Sequence, residues 1–152
     1  MIMNYEALTM KNVVSKRYFT DKELIEEAQK TFLKELLSLK GAVIKGPFVY
    51  MIEYTTPEEI LAIWFMTSVG NDDSTIFHDY RYDSYFGLEE AICCKIYPEE
   101  MQKEADNLYD KMEKRCLQDD VRMISPIYFV KNVLEEAGFY SLYAAVEKIQ
   151  TR

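Results

Sequence analysis

The apolar positions of residues 20–41 recur every three or four residues, which predicts an amphipathic helix. Thr20 and Glu23 have the spacing of a capping box at the start of this helix. Gly41 is typical of the position just after a helix C-terminus. The predicted buried stripe consists of Ile25, Ala28, Phe32, Leu36 and Leu39.

A second helix is predicted to begin at Pro98, because proline is favoured in the first helical turn. Glu99 and Glu100 follow it, and their negative charges complement the helix dipole at this end. The apolar stripe of the second helix consists of Met101, Ala105, Leu108, Met112 and Cys116.

The same order of elements surrounds each helix. A strand is predicted before each of them, at about 8–18 and about 86–96, and two strands are predicted after each. The chain is therefore interpreted as one domain built from two strand–helix–strand–strand halves. The halves are 1–69 and 85–152, joined by a linker loop at 70–84.

The predicted strand GPFVYMIEY, residues 46–54, is apolar on both faces. Tyr50 and Ile52 fall on one face, while Val49 and Glu53 fall on the other. In an antiparallel sheet with helices on one side only, apolar and polar residues are expected to alternate. A second layer, a partner subunit or a ligand in an aromatic-lined groove is therefore expected to cover the other face.

Glu53 is the one carboxylate within this apolar strand. Beside Trp64 and several tyrosines it would suit an organic cation, which gains from aromatic faces and a counter-charge. The alternative is a solvated residue at the strand end. The candidate ligand-binding residues are Tyr50, Glu53, Trp64, Tyr128, Tyr140 and Tyr143.

The charge pattern argues against nucleic acid as a partner. The net charge is −8, and the basic residues are scattered rather than clustered, whereas binding to phosphates requires a basic patch. The N-terminus lacks the basic and apolar regions of a signal peptide, and the longest apolar run, at 60–66, is too short to span a membrane. A cytoplasmic protein is expected.

The three cysteines, Cys93, Cys94 and Cys116, make a poor disulfide framework and fit a reducing compartment. No metal site is predicted, because two of the cysteines are adjacent and the only histidine, His78, lies in another segment. No phosphate loop or nucleophile elbow is present. We therefore expect no cofactor and no catalytic residue.

The repeated element order, the strand GPFVYMIEY and the proline-led helix YPEEMQKEADNLYDKMEK together resemble the GyrI-like superfamily. This superfamily includes effector-binding domains of bacterial transcription regulators. The resemblance implies an α+β fold in which two βαββ repeats form a joined antiparallel sheet, with two helices packed on one face and a central aromatic-lined groove. Relatives bind lipophilic, often cationic, small molecules, and some stand-alone members hydrolyse strained rings.

One feature departs from the family pattern. Many effector-binding members carry a buried glutamate in the strand after a Gly/Ser-Pro step of the second half, where this chain has Phe129 and no acid before Glu135. The counter-charge is then missing or moved to Glu53. No helix-turn-helix segment precedes the domain, so a stand-alone member is expected. The chain also resembles small proteins of Gram-positive bacteria encoded near LXG-type toxin genes.

Two classes of function are favoured over a third, an enzyme. The first is a non-catalytic module that binds a small hydrophobic ligand, with lipophilic cations as one option, in the aromatic groove. The second is an interaction or accessory protein whose apolar sheet face meets a second copy of itself or a partner from a toxin cluster.

Overall fold

The computed structural model describes residues 1–104, 107–131 and 139–150, except the side chain of Gln102. The chain divides into two compact units, of which the first is Met10–Phe86 and the second is Met1–Thr9 with Gly87–Arg152. In chain order the elements are β1 (Ile2–Tyr5), β2 (Leu8–Asp21), α1 (Ile25–Leu37), β3 (Ile44–Thr55), β4 (Ile60–Val69), β5 (Arg81–Leu88), β6 (Ala91–Ile96), α2 (Pro98–Glu104), α3 (Leu108–Gln118), β7 (Val121–Met123), β8 (Tyr128–Lys131) and β9 (Tyr140–Lys148).

The first unit is a sheet with α1 packed on one face. Its strands lie in the order β3-β4-β2-β5, and β4 pairs antiparallel with both β2 and β3. The predicted stripe of α1 is confirmed: Phe32 and Leu36 are fully buried, and Ile25, Ala28 and Leu39 pack around them. The buried core of this unit consists of Val14, Phe32, Leu36, Ile63, Phe65, Val69 and Phe77.

The capping box predicted for α1 is wrong. Thr20 lies in β2, which stays paired with β4 as far as the partners Asp21 and Ile60. A 3₁₀ turn, Lys22–Leu24, follows, and no side chain caps either helix start. The strand ladder holds Thr20 extended, and this long-range pairing outweighs the local capping signal.

The end of α1 also differs from its prediction. The helix ends at Leu37, and the backbone N–H of Ser38 donates to the carbonyl of Lys34 at 3.0 Å. Gly41 has the positive φ expected of it, +91°, but in the turn that follows rather than directly after the helix. Glycine suits this position because a Cβ would strain that backbone conformation.

Part of the segment predicted as a linker, 70–84, belongs to the body of the first unit. Phe77 is 2% exposed and lies in the core, where its ring stacks on Tyr82 with 6.1 Å between centroids. Tyr80 contacts Phe32 edge to face. Strand β5 then begins at Arg81.

The second unit is also a sheet with helical residues packed on one face. Its strands lie in the order β1-β6-β9-β8, all antiparallel, and β7 pairs with another part of β9. The α+β class with antiparallel strands is confirmed. The buried core consists of Ile92, Cys94, Ile96, Leu108, Met112, Cys116, Leu142, Ala144 and Val146.

The second helix was predicted as one element, and this is wrong. Two helices, α2 and α3, occupy the segment, and the backbone N–H of Asn107 donates to the carbonyl of Glu104 at 2.8 Å between them. The predicted stripe is otherwise confirmed, with Met101 partly buried and Leu108, Met112 and Cys116 buried. Ala105 and Glu135 lie outside the described residues, and Phe129 packs against the core.

The expectation that some strands are buried on both faces is confirmed for β4. Ile63 and Phe65 belong to the core under α1, yet Ala62, on the opposite face, is also fully buried, and Met66 is 7% exposed. Strand β3 is more buried at its centre than at its end: Val49 is fully buried, whereas Glu53–Thr55 are exposed.

Candidate functional site

Glu53 and Trp64 meet on the face of the first sheet that points away from α1. Ile63 and Phe65 belong to the core under α1, so Trp64 between them points to the other side. Its indole Nε1–H donates to Glu53 Oε2 at 3.0 Å. The site therefore places one carboxylate at the edge of one aromatic ring.

A bulge in β3 accounts for the position of Glu53. The register runs from Ile52 opposite Ile63 to Tyr54 opposite Ala62, so Glu53 is the extra residue. An extra residue bends the strand and re-aims its side chain. Here the side chain is aimed at Trp64.

A guanidinium completes this arrangement. Arg17 lies directly opposite Trp64 in the β2–β4 ladder and donates to Glu53 Oε2 at 3.3 Å. Its Cζ lies 5.8 Å from the ring centroid of Trp64 and 5.4 Å from that of Phe19, within the range of cation–π attraction. Arg17, Phe19, Glu53 and Trp64 are called the Trp64 cluster below.

The Trp64 cluster is open to solvent. The side chains of Arg17 and Glu53 are 43% and 38% exposed, and Phe19 is 58% exposed. An ion pair this exposed is weak, because water competes for both charges. The cluster is an accessible surface that already holds an organic cation, supplied by the chain itself.

Tyr50, the third candidate in the first unit, does not join the Trp64 cluster. Its ring contacts Phe65 edge to face at 6.2 Å between centroids and packs against the core under α1. Since alternate residues of a strand point to opposite faces, Tyr50 and Trp64 lie on opposite sides of the sheet.

A second ion pair lies on the α1 face of the same sheet. Glu35 Oε2 accepts hydrogen bonds from Lys16 Nζ and from the Tyr18 hydroxyl, both at 2.8 Å. The hydrogen bond from Lys16, more than any other interaction, lowers the pKa of Glu35. Lys16 Nζ also lies 5.6 Å and 5.4 Å from the ring centroids of Tyr18 and Tyr80.

In the second unit the sheet brings two of the three candidate tyrosines together. Tyr128 and Tyr143 are directly opposite each other in the β8–β9 pair. They point away from the helical face, because the alternate residues Leu142 and Ala144 belong to the core. Tyr140 is an even number of residues from Leu142 and Ala144 along β9, so it points to the same face as they do and packs against the core.

Sequence reasoning missed Glu6, which lies between β1 and β2. Its carboxylate accepts hydrogen bonds from Asn4 at 3.0 Å and from the Tyr143 hydroxyl, and it pairs with Lys95 at 3.3 Å. The hydrogen bond from Asn4 is the main cause of the lowered pKa of Glu6. Only the pairing of β1 with β6 reveals this cluster, since a carboxylate between two strands is otherwise unremarkable in the sequence.

Among the described residues of the second unit, two of the cavities can be compared with the candidate tyrosines, and none of these tyrosines lines either cavity. The larger, about 900 Å³, is mostly polar, and the smaller, about 270 Å³, includes Tyr5 and Glu6. The larger is lined by Glu90, Arg122, Glu147, Lys148, Ile149 and Gln150.

Metal-ligand clusters and helices able to span a membrane are absent from the described part of the chain. There, no three His, Cys, Asp or Glu side chains are grouped closely enough to hold a metal ion. Within 1–104, 107–131 and 139–150, no helix has the length and apolarity needed to cross a bilayer. All three cysteines are buried free thiols.

The solved structures most similar in fold include the C-terminal domain of EcmrR, with a TM-score of 0.64, 12% identity, and coverage of 98% of this chain and 100% of that domain. A hydrolase from Listeria innocua has a TM-score of 0.63 at 10% identity, over 94% of this chain and 91% of the other. SAV2435 bound to tetraphenylphosphonium has a TM-score of 0.57 at 12% identity, over 97% and 94%. The chain spans 58% of the EcmrR chain solved in complex with DNA.

These likenesses establish the class of fold, which is GyrI-like, as the sequence resemblance implied. At identities this low they establish nothing beyond the fold. The family itself comes from the sequence: the chain belongs to DUF5085, a domain of unknown function, whose model matches residues 9–148. No curated protein matches the chain.

Proposed function

We propose that this protein binds small lipophilic molecules, organic cations among them, at the Trp64 cluster, and that it does so without catalysis. The observation that carries the proposal is the guanidinium of Arg17, which is held by Glu53 and lies against the rings of Trp64 and Phe19. A carboxylate next to exposed aromatic faces is the chemistry that recognises organic cations.

One solved structure of similar fold supports the same class of ligand. SAV2435 was solved with tetraphenylphosphonium, a cation surrounded by four phenyl rings. Such a molecule requires aromatic contact area more than hydrogen bonds. The Trp64 cluster offers this area through Phe19 and Trp64, together with one counter-charge, Glu53.

A binding role fits the cluster better than acid–base catalysis. Catalysis of that kind needs two groups that exchange protons near neutral pH. The cluster contains a single carboxylate, and the guanidinium of Arg17 offers hydrogen-bond donors but no acceptor. The indole of Trp64 is a hydrogen-bond donor only.

Tetraphenylphosphonium is the probe that tests the proposal, with thermal unfolding followed through the single tryptophan. Ligand at one hundred times its Kd stabilises a protein by about 2.7 kcal/mol. For a chain of this size the melting temperature then rises by roughly 2–4 °C per kcal/mol. Isothermal titration calorimetry gives the Kd independently of the fluorophore.

Glu53→Gln should weaken tetraphenylphosphonium binding, whereas the matched control Glu58→Gln should not. Both variants remove one negative charge from neighbouring segments, and Glu58 is an exposed turn residue. Equal losses in the two variants would mean that only the overall charge matters. No binding to the wild type, with a melting temperature that rises with protein concentration, would favour an interaction between copies of the chain.

A further inference from the structure

We infer that Arg17 is an internal competitor for cations at the Trp64 cluster, so that the wild-type site favours neutral lipophilic ligands over cations. The inference rests on the proposed function, since it concerns the ligand class of the same site. It goes further, because the lipophilic cation that the fold suggests would then be a poor ligand until Arg17 is displaced.

The positions of the contacts carry the inference. An incoming cation needs the carboxylate of Glu53 and an aromatic face, and Arg17 already engages both. Its guanidinium and the indole N–H of Trp64 donate to the same oxygen, Glu53 Oε2. A cation therefore competes with Arg17 for one atom and one ring.

Charge balance leads to the same conclusion. Glu53 and Arg17 form a neutral pair at 3.3 Å, so the cluster has no net charge left to attract a cation. A neutral molecule does not need the carboxylate, and it gains contact area from the exposed ring of Phe19 while that pair stays in place. A cation either separates the pair or meets the positive charge of Arg17 at close range.

Arg17 is held loosely enough to be displaced. On the opposite face of the sheet, Glu35 receives two hydrogen bonds of 2.8 Å, from Lys16 and Tyr18. The Arg17–Glu53 contact is longer, at 3.3 Å, and both of its side chains are more than a third exposed. The competition is therefore partial. A cation has to replace one exposed ion pair and one exposed cation–π contact of Arg17, which corresponds to about a tenfold loss in cation affinity.

The test compares two probes of similar shape and different charge by calorimetry. Tetraphenylphosphonium is the cation and triphenylphosphine oxide is the neutral analogue. Arg17→Gln should bind tetraphenylphosphonium about tenfold more tightly than wild type, because the guanidinium that occupies Glu53 and Trp64 is removed. Affinity for triphenylphosphine oxide should stay within about twofold.

Lys11→Gln is the matched control. Lys11 is an exposed residue of the same strand, and its loss changes the net charge by the same amount. It should leave the affinity for both probes unchanged. Arg17→Lys keeps the charge but lacks the planar fork, so it should give an intermediate affinity for the cation.

The possible failures can be told apart. If wild type and Arg17→Gln bind tetraphenylphosphonium equally and both lose it on Glu53→Gln, the competitor role of Arg17 is overturned and the proposed function stands. If the gain in Arg17→Gln survives in Arg17→Gln/Glu53→Gln, Arg17 does not act through Glu53 and the inference is also overturned. If neither probe binds any variant, the proposed function falls and the inference falls with it.

Discussion

Lys16 and Arg17 are neighbours in β2, and each holds a glutamate on a different face of the same sheet. Lys16 pairs with Glu35 of α1 at 2.8 Å, while Arg17 pairs with Glu53 of β3 at 3.3 Å. Successive residues of a strand point to opposite faces, so one dipeptide contributes to two sites. The first pair joins a helix to its sheet, and the second lies on the surface that we propose binds ligand.

The Lys16–Glu35 pair should make stability depend on pH. The hydrogen bond from Lys16 lowers the pKa of Glu35 below its ordinary value of 4.5. A carboxyl group with a lowered pKa in the folded state stabilises that state above the ordinary value, and this contribution is lost as the pH falls through the lowered pKa. Wild type should therefore lose stability relative to Glu35→Gln below about pH 4.5.

Urea unfolding at about pH 7 and about pH 3 measures this change. At pH 7 the difference between wild type and Glu35→Gln should not exceed about 1 kcal/mol, because the Glu35 side chain is 38% exposed and solvent screens it. Glu26→Gln, at an exposed position of α1, should show no such pH dependence. An advantage of wild type over Glu35→Gln that is the same at both pH values would refute the linkage.

Leu36 and Leu37, adjacent in α1, should respond very differently to truncation. Leu36 is fully buried and Leu37 is 66% exposed. Leu36→Ala leaves a cavity in the core and should cost about 2–5 kcal/mol of unfolding free energy. Leu37→Ala removes the same atoms from a surface position and should change stability by no more than about 0.5 kcal/mol.

Chemical denaturation of both variants gives these values, with the slope in denaturant checked for constancy. Similar losses in the two variants would mean that α1 does not pack on its sheet through the face containing Phe32 and Leu36.

The helical stripes were predictable because a helix repeats every 3.6 residues, so local spacing alone identifies the face that Phe32 and Leu36 bury. The start of α1 was not predictable in this way. Thr20 carries a valid local capping signal, but β2 remains paired with β4 through Asp21, and this pairing joins residues about forty positions apart.

The Trp64 cluster, too, was only partly predictable from local sequence patterns. The sequence pointed to Glu53 and Trp64, but their hydrogen bond depends on a bulge that one strand in isolation does not reveal. Arg17 was missed because its place opposite Trp64 follows from the register of β2 against β4. Strand alternation already separates Tyr50 from Glu53, and the structure places Tyr50 in the core under α1.

The three thiols should be inert in the folded protein. Cys93, Cys94 and Cys116 are fully buried, and burial raises the pKa of each, that of Cys94 to about 11. Only the thiolate is nucleophilic, so both access and ionisation oppose reaction at neutral pH. A thiol-reactive chromophore should label the native chain very slowly at about pH 8 and all three thiols at once in strong denaturant. Rapid labelling of one thiol in the native protein would show that its strand or helix opens readily.

The side chain of Asn71 should stabilise the turn after α1. Its side-chain Oδ1 accepts the backbone N–H of Val43, and its Nδ2–H donates to the carbonyl of Gly41, each at 3.0 Å. Asn71→Ala removes both hydrogen bonds and should lower the free energy of unfolding by about 1–2 kcal/mol. This loss is modest for two hydrogen bonds because water reaches these groups.

Asn71→Asp separates the two contributions, because a carboxylate still accepts from Val43 but cannot donate to Gly41. We expect it to lose about half as much stability as Asn71→Ala in urea unfolding. Asp72→Ala, at the next and exposed position, should change stability by no more than about 0.5 kcal/mol. Equal losses in Asn71→Asp and Asn71→Ala would assign the whole effect to the bond with Gly41, and no loss in either would mean that water replaces both bonds without cost.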